Sequence, residues 1–357
     1  MSSSLPAENA APAATAAQAL ANAPVRELDI LHDTGYGYAS AVSLAHHLAH
    51  LQPLHDAHQQ LLHFQLDIEP PPAQRRDSVD ATGNAQCHFS LARPHTLLHV
   101  RAVSRVRVTP RFEALDADRS PAWDDVARSL QYVARAPLQP AVEYALPSPY
   151  VPRLPALRQY AAPLFPPRRP LAQAALALMH RLHADFRYDS RSTDIDTPLA
   201  QAFAQRRGVC QDFAHLMAGA LRMLGLPARY VSGYLLTNAA EGAAPLVGAD
   251  ASHAWVQVWC PGTPGVPDSG PGAGWLDLDP TNDLVPTSSH VRLAVGRDFG
   301  DVTPLRGVIR GGGRHTLRVA VTTAEVAAEL VARITVGAGP LVATPDPRTA
   351  DLETNPP

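Results

Sequence analysis

Residues 206–235 read RRGVCQDFAHLMAGALRMLGLPARYVSGYL. After the break at Arg206-Arg207-Gly208, the apolar residues Phe213, Leu216, Met217, Ala220, Leu221 and Leu224 recur at helical spacing. A helix from Cys210 to about Leu224 is therefore expected. Gly225 suits the residue after its end, and Pro227 cannot continue it. Ala228 to Leu236 then reads as a strand. Cys210 falls in the first helical turn, where unpaired N–H groups and the positive end of the helix dipole favour thiolate over thiol. Thiolate is the nucleophilic form, so Cys210 is the candidate nucleophile. Gly208 is read as giving the backbone a tight turn and a substrate room to approach.

Downstream, SHAWVQVW at 252–259 places His253 at the opening of a strand. GWLDLDPTND at 274–283 is a second strand that ends in a carboxylate before Pro280. A carboxylate there can accept from an imidazole N–H and hold the useful tautomer. Asp277 and Asp279 share parity, so side-chain direction leaves both open. Cys87 lies inside a strand pattern and Cys260 ends a strand beside Pro261. Neither has a helix start next to it, and both read as structural.

Upstream, Ala172 to Ala184 is helical, and Thr197-Pro198 opens a short helix running to about Gln205. Residues 111–169 read as a proline-rich connector over the surface, with a short helix capped by Ser120 ahead of Pro121. Residues 26–110 are β-rich. In His95 to Thr109, Leu98, Val100, Ala102, Val106 and Val108 alternate with His99, Arg101, Arg105 and Arg107. Leu62 to Ile68 and Gln86 to Leu91 are further strands, whereas Val42 to Leu51 fits a strand or a short helix. His315 to Thr322 is a strand trailing the second domain, and Arg310-Gly311-Gly312-Gly313-Arg314 is a hairpin turn. Residues 1–25 and most of 326–357 lack a useful period and are expected to be a disordered leader and tail, with Asn238 to Ala251 a loop. Helices first and strands after make the second domain, 170–325, α+β.

The blocks at 206–235, 252–259 and 274–283, in that order, resemble the core of the bacterial transglutaminase-like superfamily. LDILHDTGYGYASAVSLAHHLAHLQP at 28–53 and DATGN at 80–84 resemble the β-rich N-terminal domain that often precedes that core. The resemblance implies a papain-like α+β fold. It makes Cys210 of the GVC block the nucleophile and His253 of the HAW block the base. The aspartate of the DPT block, Asp279 rather than Asp277, completes the triad. It also implies attack on an amide of a peptide or protein substrate, with hydrolysis expected. Cross-linking acyl transfer to amines, or a non-catalytic binding module on the same fold, are the alternatives.

No cofactor is implied, and calcium does not carry over from animal transglutaminases, because no acidic loop has oxygen-ligand spacing. His46-His47-x-x-His50 puts two histidines at i, i+4 if helical, but no third zinc ligand or glutamate base accompanies them. A formal net charge of −3 gives no basis for nucleic-acid or anionic-membrane partners. Three cysteines, no signal-like N-terminus and no apolar run of membrane length lead to the expectation of a cytoplasmic protein.

Overall fold

A computed structural model describes residues 23–189, 197–236, 252–270 and 272–326. Most of the expected leader and tail, and the loop Asn238 to Ala251, lie outside the described residues. The chain begins with β1 (Arg26–Ala49), β2 (Gln59–Glu69), β3 (Gln74–Val79), β4 (Ala85–Leu91) and β5 (His95–Val108). They form a sheet in the order β2-β5-β1-β4-β3. The apolar parity of β5 faces inward, with Leu98, Val100, Ala102, Val106 and Val108 all buried. β1 runs through the stretch that fitted either strand or helix. Its pairing with a later strand shifts register between Val42 and Leu44. That irregularity breaks the two-residue alternation and is why the sequence pattern there is equivocal.

The middle of the chain contributes α1 (Trp123–Ser129), α2 (Pro155–Ala161), α3 (Leu171–Asp185), β6 (Arg187–Tyr188), α4 (Leu199–Gln205), β7 (Arg207–Gly208) and α5 (Cys210–Arg222). Ser120 does not cap α1, which starts after Ala122. Its Oγ instead donates to the Ala117 carbonyl at 2.8 Å and accepts from the Ala172 N–H at 2.9 Å, tying the start of α3 to the preceding loop. Residues 111–169 are more than a surface connector. Phe112, Val126, Tyr144, Leu157 and Phe165 are buried in the same core as α3 and α5. Their covering makes α5 buried on every side. Small residues let neighbours approach it closely, and a Cβ on Gly219 would meet Leu157 at 2.8 Å.

The remaining strands are β8 (Ala228–Leu235), β9 (Ser252–Trp259), β10 (Trp275–Leu278), β11 (His290–Gly296), β12 (Leu305–Gly311) and β13 (His315–Glu325). A second, antiparallel sheet has the order β10-β9-β8-β11, and α5 packs on β8 and β9. β12 and β13 do not trail this sheet. Both pair antiparallel with β1, β13 along its first half and β12 along its second. Gly311, Gly312 and Gly313 turn between them with φ of 95°, 88° and 61°, a left-handed run that side-chain-bearing residues resist.

The first sheet is joined to the free edge of β11 by two side-chain amides. Gln59 Nε2 donates to the Arg292 carbonyl and its Oε1 accepts from the Arg292 N–H, both at 2.7 Å. Asn84 does the same to Val295, with both bonds at 2.8 Å. Each amide completes an edge strand as a neighbouring backbone would. Asp80 and Thr82 of the DATGN block hold Asn84 in place. Asp80 accepts the Asn84 backbone N–H at 2.9 Å and its side-chain amide at 2.8 Å. No helix among the described residues is long and apolar enough to cross a membrane.

Candidate active site

Cys210 is the first residue of α5 and is half-buried. The turn into the helix is fixed by Asp212, whose Oδ2 accepts the Val209 N–H at 2.9 Å. This explains Gly208 differently from the sequence reading. A Cβ there would lie 2.6 Å from Asp212 Oδ2, so the bare glycine leaves room for the capping carboxylate. Gly208 also pairs with Tyr188 in the short parallel β6–β7 contact, which sets the segment after α3 against the segment before α5.

His253 is the second residue of β9, and Asp279 follows the last residue of β10, the antiparallel neighbour of β9. The imidazole Nε2 donates to Asp279 Oδ2 at 2.7 Å. A second side-chain hydrogen bond joins His253 to Cys210. Since Nε2 is committed to the carboxylate, Nδ1 is the nitrogen that faces the thiol. Burial by itself would lower the pKa of this ring. The bonds to Asp279 and Cys210, with the negative charge available on both, reverse that and push it up to about 10. His253 therefore holds its proton at neutral pH.

Asp279 is fully buried and its carboxylate is saturated with donors. Oδ2 accepts from His253, from His290 Nε2 at 3.1 Å and from the Asn282 side-chain amide at 2.7 Å. Oδ1 accepts the backbone N–H groups of Thr281 at 3.0 Å and Asn282 at 3.2 Å. Burial acts to raise the Asp279 pKa, but the histidine partners outweigh it and hold the carboxyl well below the usual carboxylate range. Asp277, buried as well, lies among Arg111 and Arg229 instead. The structure thus brings Cys210, His253 and Asp279 together and leaves Asp277 apart.

His290 and Asn282 escaped the sequence reading. Asn282 belongs to the Asp-Pro-Thr-Asn turn, where side chains that bond back to a preceding carboxylate are common, so its position carried a usable signal. His290 carried none, being one of 16 histidines and opening an all-buried strand. Trp255 braces both rings, stacked near His253 at 27° and set edge-on to His290 at 83°. His253, Asp279 and His290 offer ligand atoms within 4.8 Å of one another. The carboxylate's spacings to the two rings are those of the hydrogen bonds just given, which already satisfy it. Cys87 and Cys260 stay structural: burial, the largest cause for both, pushes each thiol up to about 12. His46, His47 and His50 do not form a ligand set. They lie at the end of β1, where His47 stacks on Phe89 and His50 bonds the Thr303 carbonyl.

A helix-borne cysteine facing strand-borne imidazole and carboxylate groups, on an α+β scaffold, is the layout of the papain-like class. Residues 158–280 match the transglutaminase-like superfamily and residues 28–107 match the bacterial transglutaminase-like N-terminal region. An uncharacterized protein of Mycobacterium tuberculosis is 38% identical over 283 residues, covering 78% of this chain and 86% of that one. One from Mycobacterium leprae is 32% identical over 302 residues, covering 84% and 98%. The protein-glutamine gamma-glutamyltransferase of Pseudomonas aeruginosa is 35% identical over 122 residues, 33% of this chain and 17% of that one. A solved structure from Cytophaga hutchinsonii, provisionally assigned as a cysteine protease, shares the fold with a TM-score of 0.64 at 21% identity, over 86% of this chain and 92% of that one. The chain belongs to the transglutaminase-like superfamily, a family of cysteine-based enzymes, and carries the β-rich N-terminal region of its bacterial branch.

Proposed function

We propose that this protein is a thiol hydrolase, a peptidase or amidase, with Cys210 as nucleophile, His253 as acid and base, and Asp279 as the group that orients the imidazole. The observation that carries the reading is the His253 ring bonded on one side to Cys210 and on the other to Asp279. The Cys210 sulfur attacks an amide carbonyl carbon and the carbonyl π pair moves onto oxygen. Collapse expels the amine, which takes its proton from His253, and leaves a thioester on Cys210. Water, losing a proton to His253, then releases the acid. The Cys210 backbone N–H, at the first helical position, has no helical carbonyl to serve and is placed to bind the oxyanion. Tyr188, across from Gly208 and half-exposed, is the candidate second donor.

Acyl transfer to an amine is the second reading, favoured by the similarity to the Pseudomonas aeruginosa protein-glutamine gamma-glutamyltransferase. Three free cysteines agree with a reducing compartment, and the cytoplasm is the proposed location.

Labelling with a thiol electrophile near pH 6, followed by mapping of the adduct, tests the site. Fast, selective modification of Cys210 that slows in His253→Ala is expected. Equal labelling of all three cysteines, or no effect of the histidine change, would count against any thiol chemistry here. Peptide release measured with and without added amine then separates hydrolysis from transfer.

A further inference from the structure

Behind the site, beside Trp255 and His290, lies a partly enclosed cavity of about 10 Å³, enough for one water-sized particle. Arg111, Trp255, Asp277, His290 and Arg292 are among the residues that line it. Its walls hold an unusual surplus of donors. The Arg111 side chain is 7% exposed, and among the described residues none of its three guanidinium nitrogens has a hydrogen-bond partner. The Trp255 indole N–H, fully buried, has none either. Against these stands one unpartnered acceptor on the wall, Asp277 Oδ1.

Charge points the same way. Asp56 is the carboxylate nearest to Arg111, at 3.7 Å, but it is committed to Arg292 at 2.7 Å and to the backbone N–H groups of His58 and Gln59. Arg229, half-buried, adjoins this cluster without lining the cavity, stacked on Trp275 and bonded to Gln257. Arg111, Arg229 and Arg292 against Asp56 and Asp277 leave one positive charge in excess. Arginine does not shed its proton in proteins, so the excess is not relieved by titration. A buried, unpaired guanidinium is costly unless something accepts from it.

We infer that this cavity is a binding site for a single halide-sized anion, chloride being the obvious occupant. A water molecule offers two acceptor sites and brings two donors of its own into a chamber already rich in donors. A monatomic anion brings acceptance alone and cancels the excess charge. Phosphate and carboxylate ligands are too large for the space. The anion sits against the guanidinium of Arg111 and the indole N–H of Trp255, with Asp277 as the one repelling neighbour. This site does not depend on the reading of Cys210.

Diffraction from crystals of the full chain grown with bromide in place of chloride decides the matter. A bromide anomalous peak in contact with the Arg111 guanidinium is expected. An ordered water there, without anomalous signal, overturns the proposal. In solution, the unfolding temperature should rise with chloride or bromide, but not with gluconate at equal ionic strength. Once the site is filling, the rise should be on the order of 3 °C per tenfold in halide. Identical curves in chloride and gluconate overturn the proposal. Arg111→Met should abolish the halide dependence; if that variant does not fold, the bromide experiment on the wild type stands unaffected.

Discussion

Asp279 and His290, eleven residues apart in the chain, meet at 3.1 Å on the carboxylate oxygen that also takes the His253 proton donor at 2.7 Å. His290 is thus a second imidazole anchoring the orienting carboxylate from behind. His290→Ala removes one donor from a buried charge and should cost about 1.5–3 kcal/mol in urea unfolding. His290→Asn should recover part of that loss. A change below about 0.5 kcal/mol would mark His290 as a bystander.

The linked titrations fix a pH profile of stability. His253 is raised from 6.5 to about 10, so its contribution is complete below pH 6.5 and is lost as pH climbs through 10. Asp279 is depressed below 3.8, so its contribution is complete above that pH and is lost as pH falls through the lower, folded-state value. Melting temperatures should therefore be highest between about pH 4 and 6.5 and decline toward pH 10. Asp279→Asn should flatten most of the alkaline decline, because the His253 ring then loses its anchor.

Native thiol chemistry should be confined to one residue. Cys87 and Cys260 are buried, with thiols pushed up to about 12. Between pH 6 and 8, mass spectrometry should find a single adduct on the folded protein and none on Cys210→Ser. All three cysteines should react in guanidinium.

Gly208→Ala forces a Cβ onto Asp212 Oδ2 and displaces the cap at the start of α5. A loss of about 1–2 kcal/mol and slower alkylation of Cys210 are expected. The double variant with Asp212→Ala should cost little more than Asp212→Ala alone, because the clash and the cap are one interaction. Additive losses would show that the glycine serves some other purpose.

Asn84→Ala leaves the Val295 N–H without its partner in a buried place and the Val295 carbonyl with only the longer bond from Thr82 Oγ1 at 3.4 Å. About 2–4 kcal/mol should be lost, with a single cooperative unfolding transition giving way to two if the amide is a principal tie between the sheets.

The parts of this fold that sequence announces are those whose pattern is local. The helix from Cys210 follows from apolar spacing, and β5 follows from strict alternation. Three short blocks also point to the residues that meet in the site. Long-range arrangements left no such trace. Nothing in 305–325 distinguishes a strand that pairs with β10 from one that pairs with β1. The burial of Phe112, Tyr144 and Phe165 was hidden by the prolines around them, which signal irregular backbone but not exposure. His290 reaches Asp279 only because β11 lies beside β8 in the folded sheet, and that neighbour relation is a property of topology.

The return of β12 and β13 to β1 has a consequence for biosynthesis. While the ribosome makes residues 109–304, one side of the opening strand has no partner to zip against. At the usual pace of translation that interval lasts roughly 10–40 s. A nascent chain arrested near residue 300 should leave its first sheet open to proteases and to passing strands, and release of the last two strands should close it.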